Sequence, residues 1–112
     1  MKKIEAVIQP FKLDKVRQQL HAVGVQGLTV SEVQGFGRGA GHPERYRGVE
    51  YETALAPKVK LEIVAADELV QAIVAAVEEA AKNGKLSDGE IVVSPVDDVL
   101  RVRTGERGRD AV

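Results

Sequence analysis

A chain of 112 residues with a formal net charge of −1 and 29% charged residues allows one domain. Such a domain buries roughly two-thirds of its unfolded surface, and this one lacks the basic excess that grips nucleic acid or anionic lipid nonspecifically. The absence of cysteine excludes disulfides, thiolate catalysis and zinc-thiolate sites, and two histidines leave little material for a histidine metal cluster.

No apolar run approaches the about 18 residues of a membrane span, and the segment IEAVIQP after Met1-Lys2-Lys3 is too short for a signal core, so the expected location is the cytoplasm. Lys3 to Gln9 alternates, with Ile4, Ala6 and Ile8 on one side, which predicts a half-buried strand. Pro10 then opens a helix with Leu13, Val16, Leu20 and Val23 on one face and Gly24 as its stop. Leu28 to Gln34 alternates again and predicts a second strand.

A long polar interruption follows, Gly35 to Pro57, with glycine at 35, 37, 39 and 41 and both tyrosines of the chain, Tyr46 and Tyr51. Loops of this length in compact domains are usually functional or disordered, and the tyrosine placement favours recognition. Lys58 to Val64 predicts a third strand, Asp67 an N-cap, and Leu69, Val70, Ile73, Val74 and Val77 the apolar stripe of a second helix that ends at Asn83-Gly84. Ile91 to Val93, halted by Ser94-Pro95, gives a fourth strand, and Val99 to Arg103 a small fifth. The order β-α-β-β-α-β predicts an α+β, ferredoxin-like domain over residues 1–112, with both helices on one face of an antiparallel sheet. The opposite face would present Val7, Thr29, Val33, Glu62 and Val64, an apolar mixture that predicts self-association through that face.

The glycines of GFGRGAG do not fit a dinucleotide fingerprint, because they lead into Pro43 and never start a helix. Gly84-Lys85 lacks the rest of a phosphate-binding P-loop. Three other places offer phosphate-friendly groups: the amides around Gly35 to Gly39, the turn Ser87-Asp88-Gly89, and the pair Arg101 and Arg103, which on a strand would project two guanidiniums from one face. No nucleophile, base and orienter set can be assembled, and His21 and His42 are expected at the surface, so catalysis is not predicted. A small phosphatase on the same plan would need its VQG turn after the first strand, whereas Val25-Gln26-Gly27 follows the first helix. An RNA-binding module would need aromatics on the central strands, and Phe11, Phe36, Tyr46 and Tyr51 are not there.

The ordered set KKIEAVIQPFKLDKV, TVSEVQGFGRGAGHPERYRGVEY, PKVKLEIV and RVRTGERG resembles the PII signal-transduction proteins that sense nitrogen and energy status, each piece standing where that family has it. The resemblance implies a homotrimer with adenine-nucleotide sites, for ATP or ADP, between neighbouring subunits, and no permanent cofactor. It also implies 2-oxoglutarate binding beside MgATP at the base of a long loop, about residues 37–57. By position, Thr29, Gly35, Phe36, Gly37, Arg38, Glu62 and Val64 would hold the nucleotide from one subunit, and Ser87, Asp88, Gly89, Arg101 and Arg103 would complete the site, from the neighbour. Lys58 would face a 2-oxoglutarate carboxylate, and Tyr51 stands where relatives receive a nucleotidyl group from a modifying enzyme. Clients of such a loop would be ammonium channels, transporters or metabolic enzymes, with no nucleic acid partner and no direct insertion into a membrane. The ending RTGERGRDAV looks most like actinobacterial members.

The chain departs from the family pattern at Gly39, usually a glutamine that contacts magnesium and 2-oxoglutarate, and at Glu90, usually a lysine that meets the ATP phosphates. Ser87, Asn83 and Val49 are further departures. A negative charge at Glu90 predicts a shift toward ADP or AMP. The alternative expectation is therefore a PII-like sensor of ADP or AMP and another small anion, such as bicarbonate, acting outside nitrogen control.

Overall fold

The computed structural model describes residues 1–36, 55–84 and 89–112. Strands β1 (Lys2–Ile8), β2 (Thr29–Gly35), β3 (Ala56–Ala65) and β4 (Gly89–Pro95) form one antiparallel sheet in the order β2-β3-β1-β4. Helices α1 (Leu13–Ala22) and α2 (Asp67–Ala81) pack on one face, as the ferredoxin-like plan predicts. Period-two alternation decides which face each strand side chain meets. Ile4, Ala6 and Ile8 of β1 and Leu61 and Ile63 of β3 are buried against Val16, Leu20, Ile73 and Val77 of the helices.

Local chemistry sets the element ends. Pro10 begins a single 3-10 turn, Pro10–Lys12, rather than α1 itself. Helix α1 stops where Gly24 takes φ +102, its N–H donating to the His21 carbonyl while the Val25 N–H donates to that of Leu20. Asp67 does not cap α2 as expected: the N-cap is Ala66, and Asp67 begins the helix, pairing at 2.9 Å with the Met1 amine. That ammonium holds the Asp67 carboxyl below the usual carboxylate range, and Asp67 and Glu68 together place negative charge at the positive end of the helix dipole.

Three expectations need correction. Pro57, taken as the end of the loop, lies inside β3 opposite Gln34, and β4 continues through Ser94 to Pro95 instead of halting before them. No fifth strand forms at Val99–Arg103. There the chain turns back on itself through Gly105, φ +76: the Arg101 N–H donates to the Glu106 carbonyl at 2.9 Å and the Gly105 N–H to that of Arg101 at 2.8 Å. Only a single bridge, Leu100 to Arg107, remains. Those local bonds satisfy the backbone groups that a strand would have offered to a neighbour. The loop residues 37–54 lie outside the described residues, as do 85–88.

The C-terminal 3-10 turn, Gly108–Ala111, folds onto the start of α2, where Arg109 pairs with both carboxylate oxygens of Glu68 and Ala111 is buried. Arg109 holds the Glu68 carboxyl below its ordinary value of 4.5. A carboxyl whose folded pKa is depressed stabilises the fold above its unfolded pKa and loses that contribution as the pH falls through the folded value. The melting temperature of Glu68→Gln should thus lie slightly below that of the parent at pH 7, the pair being exposed. The difference should vanish in an acid series run well below pH 4.5, where both chains are uncharged at this position; a gap that persists there would assign the effect to packing.

Candidate functional site

Register places the expected nucleotide-binding residues of β2 and β3 on the sheet face away from the helices. Thr29 stands directly opposite Glu62, Ser31 opposite Lys60 and Val33 opposite Lys58, and Val64 continues the same face. These pairs share one face because opposed residues of antiparallel strands point the same way. Gly35 ends β2 opposite Ala56, about 20 Å along the hairpin from Thr29 at strand rise. Phe36, next in line, is 61% exposed. Gly37, Arg38, Gly39, Tyr51, Ser87 and Asp88 lie outside the described residues.

Two clefts each include residues of this face, Val33 and Lys58 in one and Val64 in the other. One, about 560 Å³, is lined by Pro10, Glu32, Val33, Gln34, Pro57, Lys58 and Val59. Lys58 is the one charged side chain that is buried among the described residues, at 7% exposure. The other cleft, about 590 Å³, lies between Gly24–Gly27, the end of β3 and the C-terminal turn, and brings together Val64, Glu68, Arg101 and Arg109. Arg101 donates to the Ala111 carbonyl at 2.8 Å, so its guanidinium is oriented by the tail of its own chain. Arg103 stands in the turn, and the two arginines do not project from one strand face as expected.

Gly89 lines neither cleft. It begins β4, opposite Ile8, at the sheet edge remote from β2, with β3 and β1 between. Three strand spacings, about 14 Å, separate the two edges. Within one chain Thr29 and Gly35 therefore do not meet Gly89.

The charged groups on this face form a lattice that the sequence did not disclose. Glu5 lies directly opposite Glu62, an unfavourable pairing of like charges on adjacent strands. Lys3 lies on the diagonal and reaches Glu62 at 2.9 Å and Glu5 at 3.4 Å, while Lys60 approaches Glu5 at 3.8 Å. Lys3 holds the Glu62 carboxyl below its ordinary range, and Glu62 with Glu5 raises the Lys3 ammonium above its own. The available signal was the Lys-x-Glu order shared by Lys3-Ile4-Glu5 and Lys60-Leu61-Glu62, which becomes informative only when the antiparallel register is known.

The family profile described as "Nitrogen regulatory protein P-II" matches residues 1–106. Proteins named nitrogen regulatory protein P-II match over all 112 residues and their own full length: 56% identical from Cereibacter sphaeroides, 54% from Azospirillum brasilense and 53% from Rhodospirillum rubrum. The chain belongs to the P-II family of nitrogen regulatory proteins. As a P-II protein it is a signal transducer rather than an enzyme, in accord with the failure to assemble a catalytic set from its residues. No helix among its described residues is long and apolar enough to cross a membrane.

Proposed function

We propose that this P-II chain acts in the cytoplasm as a homotrimeric sensor of adenine nucleotides, each site lying between two subunits and shared by opposite sheet edges. The observation that carries the reading is the separation of the expected residues: Thr29, Gly35, Glu62 and Val64 sit at the β2–β3 side, whereas Gly89 opens β4 at the other edge. A ring of identical subunits brings one edge to the other without any change within the chain. Exposed Val92 and Val30, on β4 and β2, are apolar groups that such a contact would cover.

Gly37, Arg38, Ser87 and Asp88 complete the nucleotide site in this reading, Arg101 and Arg103 supply cations for phosphate, and Lys58 takes a carboxylate of 2-oxoglutarate beside MgATP. The segment around 37–54 carries the response to a client, an ammonium channel, transporter or metabolic enzyme, and Tyr51 is the place for a nucleotidyl group. The alternative sensor of another small anion outside nitrogen control is disfavoured by the full-length similarity to nitrogen regulatory proteins. Light scattering should give the mass of a trimer. Calorimetry should find ATP and ADP competing for one site per subunit, with 2-oxoglutarate tightening MgATP; a monomer indifferent to millimolar adenine nucleotides overturns the proposal.

Glu90 tunes this site. It lies on β4 opposite Val7, one residue after Gly89. Reversing its charge in Glu90→Lys should raise the affinity ratio of ATP to ADP about five- to tenfold, the scale of one exposed charge near a phosphate. Equal gains for both nucleotides would place Glu90 away from the terminal phosphate.

A further inference from the structure

We propose that Lys3 is a positioning residue for the nucleotide site: by bridging two carboxylates that the sheet register sets face to face, it keeps Glu62 charged and fixed beside Thr29 as an acceptor. The inference rests on the nucleotide reading above and adds to it a residue outside the expected site.

The geometry leaves Glu62 few alternatives. Its direct cross-strand partner is Glu5 on β1, and on its other side β2 offers Thr29, a neutral hydroxyl residue. Among the described residues Lys3 is the cation that pairs with it, at 2.9 Å, and the same ammonium reaches Glu5 at 3.4 Å. Lys60, two residues before Glu62 on β3, is engaged with Glu5 at 3.8 Å. The remaining groups on this face are Ser31 and Lys58 toward the β2 side and Ser94, Val92 and Glu90 on β4, of which Ser94 stands opposite Lys3. Without Lys3, Glu62 faces Glu5 with Lys60 the nearby cation among the described residues, engaged with Glu5 at 3.8 Å, and its carboxyl takes up a proton more readily as the pH falls.

An ionised carboxylate only accepts hydrogen bonds, so the ligand group it can take is an N–H or O–H donor of the nucleotide. A protonated Glu62, or one drawn away from Glu5 by repulsion, no longer presents that acceptor at the same place. Lys3 therefore acts through Glu62 and touches no nucleotide itself. The depressed Glu62 and elevated Lys3 titrations agree with this arrangement.

The test is the dissociation constant of ADP for the full chain, Lys3→Met, Lys3→Arg and the double variant Lys3→Met with Glu5→Gln, measured by calorimetry from pH 8 to 5.5. Each value is taken as a ratio to the parent so that the titration of the phosphate cancels. Lys3→Met should bind about three- to tenfold more weakly at pH 8, with the ratio widening as the pH falls. Lys3→Arg should restore binding. Relieving the carboxylate opposition with Glu5→Gln should recover most of the affinity lost by Lys3→Met. A parent that binds ADP, together with a Lys3→Met chain that binds equally well or is weakened by the same factor at every pH and not rescued by Glu5→Gln, overturns the role of Lys3 alone. A parent that binds no ADP overturns the nucleotide reading and this inference with it. Should Lys3→Met fail to fold, the charge-balanced double variant carries the test: loss of ADP binding in that folded chain also overturns the proposal.

Discussion

Replacing Gly89 by alanine is expected to lower the stability of the chain by about 2 to 5 kcal/mol, the sum of left-handed strain and a forced backbone displacement. Gly89 has φ +127, and a Cβ there would overlap the carbonyl oxygen of Val7 and approach its carbonyl carbon to 3.0 Å. The obstacle is backbone of β1, the central neighbour of β4, so no side chain can swing aside to relieve it. Thermal unfolding followed by circular dichroism should show a midpoint lowered by on the order of 10 to 20 °C for a domain of this size. Gly27→Ala is the control, because a Cβ at Gly27 meets nothing within 4 Å and needs no left-handed backbone. That substitution should change stability by under about 1 kcal/mol. Equal midpoints for the two variants would show that the start of β4 can move away from β1 at little cost. Gly89 also opens the strand that carries Glu90, so its loss should disturb the edge assigned to the neighbouring nucleotide site.

Lys58→Met should abolish most of the response to 2-oxoglutarate while leaving the chain folded. The side chain is 7% exposed within a cleft that also contains Glu32, Gln34 and Pro57, and methionine fills a similar length without the charge. A hydrogen bond from a charged group contributes about 1.5 to 3 kcal/mol, so the affinity for 2-oxoglutarate should fall roughly ten- to 150-fold in the presence of MgATP. Nucleotide affinity measured without 2-oxoglutarate should change far less, and this separation identifies Lys58 with the effector rather than with the nucleotide. Parallel loss of both would place Lys58 on the phosphates instead. Retention of the full 2-oxoglutarate response would remove it from either site.

The kind and order of the main elements follow from patterns only a few residues long. Alternation around Ile4, Ala6 and Ile8, the 3-4-3 spacing of Leu13, Val16 and Leu20, and glycine after the last helical turn each act locally, so no distant contact is needed to recognise them. Family membership was legible for a similar reason: its residues stand in an ordered set that survives without coordinates. The strand expected at Val99–Arg103 failed because alternation is shared by any short polar-apolar mixture. Hydrogen bonds made by Arg101, Gly105 and Glu106 close a turn there before a sheet can use the same backbone groups.

Placement across strands belonged to the tertiary structure. Nothing in the spacing of Glu5 and Glu62, 57 positions apart, says that they stand face to face, yet that register makes Lys3 a bridge rather than an ordinary surface cation. Likewise the identity of Lys58 was plain in the chain but its burial was not, because burial depends on segments distant in sequence, such as β2 with Val33 opposite it, being brought alongside. Local pattern decided two helices on four strands, and the ordered motifs pointed to the P-II family. Strand pairing then decided which charges meet, since electrostatic energy depends on separation in space and not on distance along the chain.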